Sequence, residues 1–306
     1  MSNKKENPFK SSKMPLPMKL YFMALNLTFK LLALISPKLA GKLALQIFMI
    51  PPNAAPPRRE NEIRQAANLS YRNINNQQIA VRIWELESTK ENAPTILLSH
   101  GWAGRTSQFL TFIDALLAAG YRVVGADITA HGDSSGKSTN IIEGTQVLAT
   151  IAKEFAPIDT IIAHSFGTGT TLLALDRYDI NIPKIVLIGA YSRISFIIDL
   201  FSNIFKLNQS TRNEMTQQGL NKFRDKYEIK WDWDSITPIN TIKSYEGNIL
   251  FIHDETDHEV PIAEATKLHQ SKPDANIITT TGLGHRRILR DTSVVESVLA
   301  FIKNNK

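Results

Sequence analysis

The chain has 306 residues, of which 43% are hydrophobic and 21% are charged. This composition is typical of a protein that buries a core, and the length allows one large α/β domain with additions or two ordinary domains. Cysteine is absent, which excludes disulfide scaffolds, thiolate metal sites and cysteine nucleophiles.

The positive charge lies at the N-terminus. Residues 1–60 carry ten Lys and Arg against two Asp and Glu, a net charge of +8, whereas residues 61–306 carry twenty-five against twenty-seven, a net charge of −2. A nucleic-acid-binding protein carries its positive charge on the folded domain, so we predict no nucleic-acid partner. The charge and composition divide the chain into a basic, apolar helical arm with a Pro-rich linker (1–60) and a folded body (61–306).

An apolar stretch from Leu20 to Ile35 dominates the arm. It spans 16 residues and contains Asn26 and Lys30, whereas a membrane-spanning helix needs about 20 apolar residues. Three hypotheses remain open: amphipathic helices that pack on the body or lie on a membrane surface, a spanning signal anchor, and a cleaved signal peptide. We favour the first, which predicts a cytoplasmic protein with peripheral membrane association through residues 14–50.

In the body, short apolar runs alternate with helix-length segments. Residues 78–86 alternate apolar and polar, as a half-exposed strand does. Further strands are predicted at 95–99, 121–126, 160–163, 184–188, 248–252 and 276–280. Strands that alternate with helices predict a mostly parallel sheet covered on both faces, with ligands bound beyond the carboxyl ends of the strands.

About sixty residues without a strand pattern separate the predicted strands at 184–188 and 248–252. A structureless loop of that length is uncommon in a compact domain. The interval therefore predicts a helical insertion at about 191–241. Because it follows the carboxyl end of a strand, the insertion is expected to form a cap over the ligand site.

One predicted strand runs directly into a serine. Apolar residues precede His164 and Ser165, and Phe166 and Gly167 then open a helical segment. This order is typical of a nucleophile elbow, a sharp, strained turn that holds a serine hydroxyl above the sheet edge. Ala163 and Gly167 are small at the two positions where strand and helix backbones approach closely. Taken alone, the segment fits a helix N-cap serine equally well.

The segments after the last two strands favour the elbow. A serine nucleophile needs an adjacent base, and the base needs an orienting acid. Asp254 and Asp257 follow the strand at 248–252, and His285 follows the strand at 276–280 in a glycine-containing loop. A serine, an acid and a histidine thus each lie beyond the carboxyl end of a strand, where they can meet.

The chain resembles the serine hydrolases of the α/β-hydrolase fold, close to the esterase, lipase and monoglyceride-lipase-like branch, over roughly residues 69–303. The resemblance rests on five segments: Ser99-His100-Gly101-Trp102, Asp127 with His131-Gly132-Asp133-Ser134, His164-Ser165-Phe166-Gly167, Asp257, and Gly284-His285. It implies a mostly parallel eight-stranded sheet with helices on both faces and a helical cap insertion, which the predicted N-terminal helical arm precedes.

The resemblance also implies the role of each site residue. Ser165 is the nucleophile, His285 is the general base and then acid, and Asp257 orients the histidine. Backbone N–H groups of Trp102 and Phe166 form the oxyanion hole.

The chain departs from the family pattern at two positions. Ala163 stands where glycine is usual at the start of the elbow, and Asp254 stands where the acid loop usually has glycine. Asp254 is therefore the alternative acid. We favour Asp257, because it lies three residues before Val260-Pro261, as the acid of the family does.

These residues predict a serine hydrolase, without cofactor or metal, that cleaves carboxylic esters of small, apolar molecules through an acyl-enzyme. The alternatives are a thioesterase, amidase or acyltransferase that uses the same triad, or a catalytically silent ligand-binding member of the fold. We expect aromatic residues of the insertion to line the substrate pocket: Phe196, Phe201 and Phe205.

Overall fold

A computed structural model describes residues 15–52, 54–87, 93–227 and 230–304. The described residues divide into two compact units. The helical unit comprises those of Met1–Ile50 and Arg193–Ile236, and the sheet unit comprises those of Pro51–Ser192 and Thr237–Lys306. The helical part of the predicted arm and most of the predicted insertion thus belong to one unit, whereas the predicted linker, from Pro51 onward, belongs to the sheet unit. The Lys-rich start of the arm, residues 1–14, lies outside the described residues.

The sheet unit contains an eight-stranded sheet. Its strands are β1 (Asn68–Ile74), β2 (Gln77–Trp84), β3 (Thr95–Ser99), β4 (Arg122–Ala126), β5 (Ile158–His164), β6 (Lys184–Ile188), β7 (Asn248–Asp254) and β8 (Asn276–Thr280). Their spatial order is β1-β2-β4-β3-β5-β6-β7-β8. Only the pairings of β2 are antiparallel, and the remaining neighbours are parallel. The predicted mostly parallel sheet is confirmed.

Strand β1 is absent from the strands predicted by apolar alternation. Most of its side chains are exposed or half-buried, and only Ile74 is buried, so its sequence lacks the apolar run of a central strand. The turn to β2 consists of Asn75 and Asn76, whose φ angles are 53° and 60°. Asn tolerates this left-handed conformation and favours two-residue hairpins, so the Asn-Asn pair is the signal that identifies the hairpin.

Helices cover both faces of the sheet, as predicted. The helices of the sheet unit are α3 (Asn61–Gln65), α4 (Leu110–Ala118), α5 (Ile141–Glu154), α6 (Phe166–Arg177), α9 (Pro238–Thr241), α10 (Ile262–Ser271), α11 (Gly284–Arg287) and α12 (Thr292–Lys303). Successive residues of a strand point to opposite faces. Accordingly, Ile161 of β5 packs into one buried cluster with α5 and α6, and Ile162 packs into a second with α4 and α12.

The helical unit contains α1 (Leu16–Ile35), α2 (Pro37–Phe48), α7 (Ile194–Ile204) and α8 (Gln209–Tyr227). Ser36 separates α1 from α2 and caps α2, because its side chain accepts a hydrogen bond from the Leu39 N–H. Helix α2 packs closely on α8: a Cβ added at Gly41 would lie 2.5 Å from Glu214 Cβ. Within the described part of the chain, α1 is the one helix long and apolar enough to cross a membrane, and most of it is exposed.

Candidate active site

Ser165 lies at the sharp turn between β5 and α6. Its φ of 53° and ψ of −119° are strained for a residue with a side chain, at a cost of about 1–3 kcal/mol. The turn is held at both ends: the Ser165 N–H donates to Ile188 O at 2.9 Å, and the Ser165 carbonyl accepts from the Thr168 N–H and hydroxyl at 2.9 and 2.6 Å. The strand-to-helix turn thus presents the Ser165 hydroxyl at the carboxyl edge of the sheet.

Small residues allow the surrounding backbones to approach this turn. A Cβ added at Gly167 would lie 2.3 Å from the carbonyl oxygen of Ser99. A Cβ added at Gly101 would lie 3.0 Å from Ser165 Cβ. Ala163 is fully buried. Any larger side chain at Gly167 or Gly101 would displace the elbow from the loop that follows β3.

The structure brings Ser165, Asp257 and His285 together. His285 Nε2 lies 2.8 Å from Ser165 Oγ, and His285 Nδ1 lies 2.7 Å from Asp257 Oδ2. A carboxylate only accepts hydrogen bonds, so Nδ1 carries the proton and Nε2 accepts from the serine hydroxyl. His285 and Asp257 are both buried. The arrangement has the geometry of an activated serine, a base and an orienting acid.

Asp257, rather than Asp254, faces the imidazole. Its Oδ1 accepts hydrogen bonds from the backbone N–H groups of Glu259 and Val260, at 2.8 and 2.9 Å. These two donors leave Oδ2 directed at His285. Backbone amides of the acid loop therefore orient Asp257 toward the imidazole.

Asp254 instead holds the loops together. One oxygen accepts from the Thr256 N–H and hydroxyl, and the other accepts from the Thr280 hydroxyl and the Leu283 N–H. Burial alone would raise the pKa of Asp254, but these hydrogen bonds outweigh burial and hold the pKa well below its usual value. Asp254 is therefore an ionised structural carboxylate, bonded through both oxygens.

His164 was not among the predicted site residues, yet it contacts the histidine of the site. Its Nε2 lies 2.8 Å from the carbonyl oxygen of His285, and the two rings are 4.6 Å apart. A carbonyl only accepts, so Nε2 carries the proton. Burial, and then the neighbouring His285, lower the pKa of His164 well below its usual value. A neutral imidazole thus links the residue before Ser165 to the main chain of His285.

His253 is a second buried histidine that sequence reasoning missed. Its Nε2 donates to the carbonyl oxygen of Val260 at 2.7 Å and lies 3.6 Å from Asp257 Oδ2. Burial lowers the pKa of His253. His164 is the last residue of β5, and His253 is the last but one of β7. Their place just before a loop that carries a site residue is the sequence signal that could have identified them.

His100 and His131 brace the loop that follows β3. His100 Nε2 accepts from the Ile128 N–H at 3.0 Å, and His131 Nε2 accepts from the Ala103 N–H at 3.0 Å. Burial lowers the pKa of His100, and burial with the neighbouring His100 lowers the pKa of His131 to about 3. The Nδ1 atoms of His100 and His131 donate to the carbonyl oxygens of Gly101 and Thr129, at 2.9 and 3.0 Å. Both rings are therefore neutral supports, and neither has the free nitrogen that a base requires.

The two segments predicted to supply the oxyanion hole lie side by side. The rings of Trp102 and Phe166 are 5.3 Å apart in an edge-to-face arrangement. Gly101 packs against Ser165, as described for the elbow. The role of the Trp102 and Phe166 N–H groups remains a prediction.

The predicted pocket residues lie on or next to α7 in the helical unit. The ring of Phe201 is 5.1 Å from that of Phe48, and the ring of Phe205 is 5.6 Å from Phe22 and 5.8 Å from Phe29. Packing against the arm therefore accounts for the apolar character of two of the three residues. Phe196 is half-buried in the first turn of α7. Their assignment to a substrate pocket remains a prediction.

Among residues 15–52, 54–87, 93–227 and 230–304, no group of three or more His, Asp or Glu side chains is arranged to hold a metal ion.

Comparisons with known proteins identify the fold. Residues 94–223 match the family model of the α/β hydrolase fold. A membrane phospholipase A described as a bacterial virulence factor has a similar solved structure, with 15% identity, a TM-score of 0.58, and coverage of 94% of this chain and 99% of that chain. No curated protein matches the sequence.

Two further solved structures cover 78% of this chain. The thioesterase domain from the curacin biosynthetic pathway is 13% identical, with all of its chain covered and a TM-score of 0.57. MGS-M2, an α/β hydrolase enzyme from a Medee basin deep-sea metagenome library, is 16% identical, with 98% of its chain covered and a TM-score of 0.58. The protein therefore has the α/β-hydrolase fold. Proteins of this fold are generally hydrolases of small molecules.

Proposed function

We propose that the protein is a serine hydrolase that cleaves carboxylic esters through an acyl-enzyme. The observation that carries the proposal is the chain of hydrogen bonds from Ser165 Oγ through the imidazole of His285 to Asp257, with distances of 2.8 and 2.7 Å. A hydroxyl bonded to a basic nitrogen, whose other nitrogen is held by a carboxylate, is poised to lose its proton as it attacks a carbonyl.

Each step of the reaction uses this proton path. Ser165 Oγ attacks the ester carbonyl while His285 Nε2 takes the hydroxyl proton, and Asp257 stabilises the resulting imidazolium. Backbone N–H groups of Trp102 and Phe166 stabilise the oxyanion, a contribution of about 10²–10³-fold in rate for each donor. His285 then protonates the leaving alcohol. Water attacks the acyl-enzyme in the same way, and the acid product leaves.

The substrate we propose is an apolar ester. The exposed apolar helix α1 suits an enzyme that meets its substrate near lipid, and the half-buried Phe196 supplies apolar surface in the insertion. The fold similarity to a phospholipase is consistent with this substrate class, and the similarity to a thioesterase domain makes thioesters the principal alternative.

We further propose a cytoplasmic enzyme that associates with a membrane through residues 14–50. The support is the exposed apolar surface of α1. A signal anchor is the alternative, because α1 has the length and composition to span a bilayer.

A fluorophosphonate probe tests the hydrolase. We expect the full chain to be labelled, Ser165→Ala to be unlabelled, and His285→Ala to be labelled far more slowly, because the hydroxyl then lacks its base. Ser210→Ala, at an exposed serine, is the matched control and is expected to label normally. A folded, unlabelled wild-type protein would support a silent binding protein instead.

A substrate panel tests the ester assignment. p-Nitrophenyl esters of increasing acyl length, with matched thioester and anilide compounds, are compared by kcat/KM. We expect esters to be the best substrates and kcat/KM to rise with acyl length. A preference for the thioesters would indicate a thioesterase with the same triad.

A further inference from the structure

Helix α1 has one face packed within the helical unit. Phe22 and Phe29, seven residues apart, lie on the same face of the helix. Their rings are 5.6 and 5.8 Å from the ring of Phe205, which follows α7. Phe29 and Phe205 are buried. This packed face attaches α1 to the segment that the sequence predicts as an insertion.

The opposite face of α1 is apolar and exposed. Leu27 is two residues, or about 200° of rotation, from Phe29. The residues on this face are three or four positions apart, so they form one continuous stripe. We name it the outer stripe, and its members are at least half exposed: Leu16, Leu20, Met23, Leu27, Leu31 and Leu34. Soluble monomers seldom expose a continuous apolar surface of this kind, which marks an interaction site.

Positive charge flanks the outer stripe. Exposed Lys19 and Lys30 lie on the side of α1 between the packed face and the outer stripe, and exposed Lys38 and Lys42 follow in α2. Residues 16–50 contain these four lysines and no acidic residue. Lysine side chains at the edge of an apolar face reach up to headgroups while the apolar face enters the lipid.

We propose that α1 lies in the plane of an anionic lipid surface, with the outer stripe inserted among the acyl chains and with Phe22 and Phe29 still packed on Phe205. The inference rests on the proposed membrane association of residues 14–50. It specifies the bound face, the orientation and the lipid charge. The partner is an anionic bilayer, because the apolar stripe requires an apolar medium and the lysine flank requires negative headgroups.

A spanning orientation is less compatible with the same residues. Twenty residues at 1.5 Å each would cross about 30 Å of hydrocarbon. However, Asn26 would then lie at the bilayer centre, and Lys30 would lie about 7 Å from it, where a charge is costly. Phe22 and Phe29 would also have to leave Phe205. The in-plane orientation retains this packing and keeps the lysines at the headgroups.

Single-cysteine fluorescence distinguishes these orientations, because the natural chain has no cysteine. Leu20→Cys, Leu27→Cys and Leu31→Cys place an environment-sensitive dye on the outer stripe. Thr28→Cys and Lys30→Cys place it on the two flanks. All are made in the full chain with Ser165→Ala, so that lipid hydrolysis does not alter the vesicles and a failed hydrolase proposal leaves the result interpretable.

With vesicles that contain phosphatidylglycerol and phosphatidylcholine, we expect a blue shift of the dye at the three stripe positions and little shift at the two flanks. A quencher attached to the lipid acyl chains should quench the dye strongly at the three stripe positions and weakly at the two flank positions. A dye that is blue-shifted and buried in the hydrocarbon at positions 27, 28 and 30 alike would indicate a spanning helix and would overturn the proposal. A blue shift without vesicles that grows with protein concentration would indicate self-association and would overturn it equally.

Vesicle flotation measures the bound fraction of matched variants. We expect Leu27→Glu to reduce the bound fraction about tenfold or more, because a charge replaces a leucine that the proposal inserts among the acyl chains. Thr28→Glu is expected to bind as the parent does. The double variant Lys19→Gln with Lys30→Gln should lose about 30-fold in affinity for phosphatidylglycerol vesicles but not for phosphatidylcholine alone. Thermal unfolding verifies that the variants fold. Equal binding by Leu27→Glu and Thr28→Glu would refute the proposal.

Discussion

Replacing His164 with phenylalanine should slow the reaction without weakening substrate binding. Phenylalanine keeps a planar ring at this buried position but cannot donate a hydrogen bond to the carbonyl oxygen of His285, 2.8 Å from His164 Nε2. A buried carbonyl without its donor costs about 1–3 kcal/mol. If His285 then leaves its position between Ser165 and Asp257, the rate should fall about 5- to 150-fold.

Kinetics separate this positioning role from a general loss of structure. For a soluble short-chain ester, we expect His164→Phe to lower kcat while KM stays within about twofold, because the imidazole of His285 moves and the substrate contacts do not. The rate of fluorophosphonate labelling of Ser165 should fall by the same factor. Thermal unfolding measures the separate effect on stability.

His164→Gln is the matched control. The glutamine amide nitrogen is as many bonds from Cβ as His164 Nε2, so it can donate to the same carbonyl of His285. We expect Gln to recover most of the kcat that Phe loses. Equal kcat values for the Phe and Gln variants would refute the positioning role, because the variants differ in the hydrogen bond at issue.

Three further predictions concern the acid loop and the arm. Asp257→Asn should lower kcat by about 10⁴-fold, because an amide N–H facing His285 Nδ1 favours the wrong tautomer; a loss below tenfold in steady-state assays would contradict the assigned acid. Because its hydrogen bonds lower the pKa of Asp254 in the folded state, the ionised carboxylate stabilises the fold above about pH 4, and this stabilisation is lost as the pH falls. The unfolding temperature of Asp254→Asn should therefore depend less on pH in the acid range than that of the parent. If the unfolding temperatures of the variant and the parent fell in parallel with decreasing pH, this role of Asp254 would be refuted. Gly41→Val should lower the free energy of unfolding of the helical unit by about 1–3 kcal/mol, because the added side chain would overlap α8. Denaturant unfolding measures this loss, with Lys42→Ala at an exposed position as the control. Equal free energies of unfolding for the two variants would show that the contact between α2 and α8 adapts to the larger side chain.

Local sequence was sufficient to predict most of the sheet, whereas the elbow was favoured over a helix N-cap serine only by the acid and histidine that follow the last two strands. A nucleophile elbow is a strand, a turn and a helix within a few residues, so its pattern is visible in the sequence, although the contact that requires Gly167 to be small is with Ser99 and His100, at the carboxyl end of the remote strand β3. Buried parallel strands likewise appear as short apolar runs. The exposed strand β1 lacked such a run, and only its Asn75-Asn76 turn marked it.

Only the tertiary structure shows contacts between residues far apart in the chain, and the different orientations of two residues of the same type. Asp254 and Asp257 are the same residue type in one loop. The family pattern favoured Asp257, but the backbone N–H groups that direct its carboxylate at His285 are in place only in the folded loop. The packing of α2 on α8 at Gly41 joins segments more than 170 residues apart. Sequence patterns record how a residue relates to its chain neighbours, whereas these contacts arise when remote backbones meet, so they follow from the folded chain alone.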